Sequence, residues 1–488
     1  MEAHRTSAEI QMSHRHSDSK NRRIWLPVAG TWLTVLVILI LILLAGTKDA
    51  NGIEDSDSGG NTAALVLLGI ATLPLFVGQI RIRFSRWVPW LIGGLSSVLG
   101  LTLAVSSLVG PSIVSWAIYG GLQVGKAGQP FNDLAWIFRW AECDGCVEEF
   151  PGYSLGVLWI KPLTFGQISE VWAIPIGFIL IFTLSACLIW LAKSSEAGAL
   201  PFYLLISVGS AWLIFLDRAN ADSLVFLAII ATVFAYQRHP RLWVWAAIAA
   251  GIWWLGTWKY YPFALGVLLA PALMVKRGWL VVSGFGLAVL LYIFTQSGSR
   301  VEGFDGSQLG EYLDGGNAFG RIPIIFRMSP DSDLGAFLTL PNLIVFGMAG
   351  IAFLWGWTFS TVTRTNDIPK AMLAIGGSGM FLANILFSGF GFSYKGAFLI
   401  LMIPLIAVGF RMGGSFGLYT AISCLILIAV SNMLSYSILL TSLASILAAS
   451  LAAGAAIPIA LRALRKQKAP KITRGNKYYL EDHDTAIS

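Results

Sequence analysis

The sequence predicts an all-α polytopic membrane protein of about 14 transmembrane helices with large outer loops. Three observations carry that expectation. Of the 488 residues, 56% are hydrophobic and only 12% charged, more apolar surface than a water-soluble chain of this length can hide. The apolar residues recur in stretches of roughly 15–22 residues, the length that crosses a hydrocarbon core as a helix. Lys and Arg gather in alternate turns between these stretches, as they do when a chain threads back and forth through a bilayer. The 29 Phe and 19 Trp suit lipid-facing helices and interfacial belts. The formal charge of +7 belongs to the same loop asymmetry and gives no reason to expect a nucleic-acid partner.

Residues 1–24 are a polar tail with the composition of a disordered segment. Residues 25–461 read as one transmembrane domain, and 462–488 as a second, basic tail. The first apolar stretch begins near Trp25 without a small-residue cleavage site, which marks a retained helix and not a signal peptide. Spans are expected to start roughly at residues 28, 63, 88, 171, 199, 222, 242, 262, 279, 336, 371, 395, 415 and 437. The shorter ones, near 15 residues, are expected to be tilted, kinked or partly re-entrant.

Orientation follows from the turns. Arg5, Arg15, Lys20, Arg22 and Arg23 precede the first span, and Arg81, Arg83 and Arg86 follow the second. Lys193, Arg238, Arg241, Lys276, Arg277, Arg364, Lys370 and Arg411 fall on the same side if the spans alternate, as does the tail from Arg462 to Lys477. That side is the cytoplasmic one, so both termini are expected there, with the chain multi-pass in the cell membrane. The opposite side carries an acidic Lys48–Asn61 loop and two longer loops, at about 110–170 and 296–333. In the former, "SIVSWAIYGGL" and "DLAWIFRW" read as short helices lying in the interface. The latter is Gly-rich, with the character of a mobile lid or an acceptor-binding loop.

One stretch breaks the apolar pattern. "LDRANADSLVF" places Asp217, Arg218, Asn220 and Asp222 at the outer turn between the fifth and sixth spans. In one continuous helix Arg218 and Asp222, four apart, share a face. A solvated turn with an Asn or Asp cap explains such a stretch by itself. Other cations stand at the same rim: Lys259 in "GTWKYYPF", Tyr394–Lys395 in "GFSYKGAF" and Arg321 in "AFGRIP". One such exception to the positive-inside pattern means snorkelling. Several, on separate helices, point to an anionic ligand such as a phosphate, either a lipid head group or a substrate.

All five histidines, His4, His14, His16, His239 and His483, fall on the cytoplasmic side. Acid–base chemistry at the outer rim therefore falls first to a carboxylate, with a Tyr or Lys as the alternative. Among the acids of the first long loop, Glu142, Asp144, Glu148 and Glu149 look like a solvated face. Asp133 is set among apolar and aromatic residues that hold it near the membrane, and either serves as a base or caps the "LAWIF" helix. Cys187 and Cys424 lie within spans as packing residues. Cys143 and Cys146 admit a disulfide, whereas a C-x-x-C without a second ligand pair, and with no histidine on that side, is weak evidence for zinc. No metal or cofactor motif is evident.

Set side by side, "DRANADSLVFLAII" and "GTWKYYPFALG" resemble the RGN-x-D … K-x-YP pattern of bacterial glycosyltransferases with the GT-C fold. The nearest group is glycosyltransferase family 87, the polyprenol-phosphate-mannose-dependent α-mannosyltransferase type. "NDLAWIFRWAEC" is similar to the start of that group's first large extracytoplasmic loop, and "GFSYKGAFLILMIPLI" to its DYR segment. The resemblance runs from about Gly110 to Leu405. It implies a GT-C-like architecture and hexosyl transfer from a polyprenyl-phosphate-linked sugar to an extracytoplasmic glycan or glycolipid. It further implies Asp133 as general base and Arg218, Lys259 and Lys395 as ligands of the donor phosphate. Asn220, Asp222, Tyr394 and Arg321 would support them. Departures from the pattern are Ala219 for its glycine, Lys395 for its arginine and Ser393 for its acid. Two spans also precede the large loop's own helix, where the simplest layout has one. A multi-span transporter or lipid flippase is the rival class. It predicts ionisable residues at mid-span and broken inverted repeats, whereas here the charges sit at span ends.

Overall fold

A computed structural model describes residues 87–109, 131, 133–135, 137–138, 170–195, 200, 203, 207, 210–219, 221–238, 241–258, 261–296, 340–363, 367–387, 393–411 and 438–468. The expected spans near residues 28, 63 and 415, the 296–333 loop with Arg321, the Cys143–Cys146 pair, Cys424, Asn220 and Lys259 lie outside these residues. So do the side chains of Tyr394 and Lys395, whose backbone is described.

Every regular element among the described residues is helical. In chain order they are α1 (Val88–Val109), α2 (Ala173–Ser194), α3 (Ser210–Arg218), α4 (Ala221–Gln237), α5 (Leu242–Trp258), α6 (Tyr261–Met274), α7 (Gly278–Gln296), α8 (Leu340–Thr363), α9 (Ile368–Phe387), α10 (Ser393–Met402), α11 (Ile403–Arg411) and α12 (Ile438–Lys468). Three are long and apolar enough to cross a membrane: α1, α2 and α7. Several shorter apolar helices, α4, α5, α6 and α9 among them, accompany them. Two of the short segments, α6 and α10, are wound tightly as 3-10 helix. At about 2 Å per residue, the 14 residues of α6 extend roughly 28 Å, close to a hydrocarbon thickness.

Sequence chemistry sets the ends of these helices. α2 carries Pro175 in its first turn, where a missing N–H costs nothing, and Lys193 in its last, where a cation suits the carbonyl end. Beyond it, Ser195 turns extended, and its hydroxyl donates to the Leu191 carbonyl at 2.7 Å.

Small residues bring the helices together. Gly93 and Gly100 of α1 receive Ile189 and Ile181 of α2, so the two helices run antiparallel. Gly100 also admits Leu216 of α3, which a Cβ at this position would crowd. A buried polar relay joins the same three helices: the Trp212 Nε1–H donates to Ser96 Oγ at 2.8 Å, and Ser96 and Ser185 share a hydrogen bond at 2.9 Å. α8 and α12 approach backbone to backbone, since a Cβ on Gly356 would strike the Leu451 carbonyl and one on Gly454 the Phe353 carbonyl. Close contact of this kind is how helices associate in lipid, where burial of apolar surface gives no drive. Arg462 of α12 completes the pair by donating to the Ser360 carbonyl at 2.8 Å and hydroxyl at 3.0 Å.

These contacts fix a common polarity. α1 and α3 run together and α2 runs against them; Trp190 of α2 meets Phe234 of α4 near the end that carries Lys193 and Arg238. The turns with Arg241, Lys276, Arg277 and Lys370 fall at that same end, and Arg218 stands at the other. Outward-facing positions are strongly apolar, among them Phe294 at 74% exposed and Ile351 at 66%. Water would penalise such a surface and lipid would not.

Candidate functional site

The polar stretch between α3 and α4 is not one helix. α3 ends at Arg218 and α4 begins at Ala221, because Ala219 adopts the left-handed conformation, φ 45°. Its N–H bonds to the Phe215 carbonyl at 3.3 Å, closing the last turn of α3 as a left-handed C-terminal cap does. The expectation that Arg218 and Asp222 share one helix face is therefore corrected: the four-residue spacing is interrupted by a turn. Asp222 is fully buried in the first turn of α4, where the helix N-terminus favours a carboxylate. Arg218, in contrast, keeps 27% of its side chain exposed.

What approaches Arg218 is Asp133. Arg218 Nη1 donates to Asp133 Oδ1 at 2.7 Å, a charge-assisted bond across 85 residues of sequence. Asp133 opens a short helical stretch, residues 133–135 and 137–138. Leu134, Ala135, Ile137 and Phe138 are all buried in the main core. The described part of this stretch is helical, as expected from the sequence, and its apolar residues are buried against the main core.

Phe131 makes the junction. Its N–H donates to the Asp217 carbonyl at 3.1 Å, and its carbonyl accepts from the Ala135 N–H at 2.9 Å. Its backbone is left-handed, φ 57°, and its ring is fully buried. The ring lies directly over Gly177 of α2, where an added Cβ would overlap it, and meets the edge of Phe178 with centroids 5.5 Å apart. Nothing in the sequence marked Phe131 or Gly177. An aromatic two residues before an acid is an unremarkable pattern, and a left-handed Phe is not predictable from propensity.

A ring layer beneath the turn brings in the third segment. Phe215 of α3 contacts Phe226 of α4 at 5.9 Å and Phe398 of α10 at 6.1 Å. Phe226 and Phe398 also meet, at 6.4 Å. Each ring lies within two turns of the end of its helix nearest Arg218. The first turn of α10, with the backbone of Tyr394 and Lys395, therefore opens at the same end of the bundle as Arg218. α5 also ends there. The Tyr292 hydroxyl of α7 donates to the Thr257 carbonyl at 2.9 Å, one residue before Trp258 and two before Lys259 in sequence.

The site is thus a half-open ion pair at one rim of an apolar helical bundle. Asp133 and Arg218 remain 19% and 27% exposed, within reach of a solute or a lipid head group. The carboxylate is a proton acceptor for a hydroxyl, and the guanidinium is a fork that can bind phosphate oxygens. Asp217 and Asp222, next to Arg218 in sequence, are both buried. No family model, curated protein or solved structure matches the chain.

Proposed function

We propose that the protein is a membrane glycosyltransferase that moves a hexose from a polyprenyl-phosphate donor to an extracytoplasmic glycan or glycolipid. In this proposal the chain has a GT-C-like architecture of about 14 spans in the cell membrane, with both termini cytoplasmic. One observation supports it most: Asp133 and Arg218 meet at 2.7 Å at a single end of the bundle. An acid and a phosphate-binding cation are the two groups that transfer from a lipid phosphate needs side by side.

Asp133 takes the proton of the acceptor hydroxyl as its oxygen bonds to the anomeric carbon. The bond from that carbon to the phosphate oxygen breaks, and its electron pair leaves on the polyprenyl phosphate. Charge accumulates there, and Arg218, with Lys259 and Lys395, stabilises it. The transition state is oxocarbenium-like, as in other glycosyl transfers. Tyr394, Asn220, Asp222 and Arg321 support the cations. The apolar outer face of the bundle serves the polyprenyl tail.

The test is transfer from a radiolabelled polyprenyl-phosphate sugar in proteoliposomes, comparing the native chain with Asp133→Asn. Sugar transfer requires that label reach an acceptor in the native sample and not in the variant, with helicity and melting temperature retained. A transporter or flippase would move the label across the bilayer without consuming it, and that result would replace the proposal.

A further inference from the structure

We infer that Phe131 is a positioning residue: its ring, seated on Gly177, sets the approach of Asp133 to Arg218. The catalytic consequence rests on the sugar-transfer proposal; the positioning itself does not. Four constraints converge on this residue. Its N–H is tied to the Asp217 carbonyl, one residue before Arg218. Its carbonyl starts the helical turn that presents Asp133. Its ring is fully buried against the Gly177 backbone, with the Phe178 edge on one side. Its left-handed φ of 57° is one that bulky L-residues rarely adopt, so the surrounding contacts must hold it.

The consequence is a chain of position. α2 presents Gly177, Gly177 admits the ring, the ring and the Asp217 carbonyl hold the Phe131 backbone, and Asp133 follows two residues later. Any side chain at position 177 displaces the ring and with it the carboxylate. An apolar plug alone would need only volume. A positioning residue needs that particular seat.

The experiment first reads geometry without activity. Asp133→Cys and Arg218→Cys are combined, with Cys143 and Cys146 changed to serine, and a short bis-methanethiosulfonate reagent is applied to the full-length protein in bilayers. Cross-linking is expected to be efficient with Gly177 and Phe131 intact, and to fall about tenfold with Gly177→Ala or Phe131→Ala. Adding Phe131→Leu to Gly177→Ala, which makes room for the new methyl, is expected to restore part of it. Should Gly177→Ala not fold, Phe131→Leu alone carries the comparison, because it leaves α2 untouched. Equal cross-linking in every folded variant would overturn the inference. With the native Asp133 and Arg218 in place, Gly177→Ala is expected to lower kcat and, by moving the carboxylate off Arg218, to lower donor KM as well. Loss of cross-linking together with no sugar transfer by the native chain would keep the positioning role and remove the proposed reaction.

Discussion

The Asp133 carboxylate receives Arg218 at 2.7 Å, and the backbones carrying them are joined by the Phe131 N–H bond to the Asp217 carbonyl at 3.1 Å. The two segments thus meet through both backbone and side chain. Their relative position is a property of the fold and not of two long side chains that happen to touch.

Asp133 and a donor phosphate would compete for one guanidinium. Asp133→Asn should therefore have two opposite effects. Transfer should fall roughly 10²–10⁴-fold as the base is lost. Binding of a non-reacting polyprenyl phosphate should tighten several-fold, because Arg218 is released from its charged partner. Turnover assays and a lipid-binding titration check the two arms. Weaker phosphate binding in the variant would contradict a shared guanidinium.

At Arg218, charge and shape separate. Arg218→Lys retains a cation but loses the fork, and is expected to reduce transfer about tenfold. Arg218→Ala should cost about 10²–10³-fold, the scale of losing one stabiliser of developing charge. Stability should change by only about 1 kcal/mol, since the pair is partly exposed. Steady-state kinetics and melting temperatures in detergent decide the matter. A large loss of stability would make the pair a structural bridge first.

Ala219 offers a purely conformational test. Glycine at this position relieves a left-handed backbone but gives up a buried methyl, two effects of about 1 kcal/mol each and opposite in sign. Ala219→Gly should be nearly neutral and active. Ala219→Val should be destabilising by about 2 kcal/mol or more, because a β-branched residue resists that φ. Thermal unfolding of both variants reads the difference. A neutral valine would mean that the turn can be rebuilt.

Gly454 tests the packing far from the site. A valine there would push its Cβ against the Phe353 carbonyl and separate α8 from α12. The expected cost is about 2–3 kcal/mol, visible as a lower melting temperature. Gly284 on α7, with nothing close to it, should accept the same change with little effect. Similar losses at both positions would mean that α7 is also packed tightly against a neighbour.

The sequence alone determined the helical, membrane-length character of the apolar stretches. Long apolar stretches such as those of α1, α2 and α7 have no other way to satisfy their backbone in lipid. Lys193, Arg238 and Lys276 mark alternate turns by charge, independently of packing. It also singled out Asp133 and Arg218 individually, since charges beside apolar runs stand out by composition. Only the tertiary structure decided that these two residues meet, that the chain turns between Arg218 and Asp222, and that Phe131 holds the junction. The physical reason is common to all three. A left-handed Ala or Phe, and a contact across 85 residues, have no local signature. They exist because glycine notches and buried rings on other helices leave the backbone no other place to go.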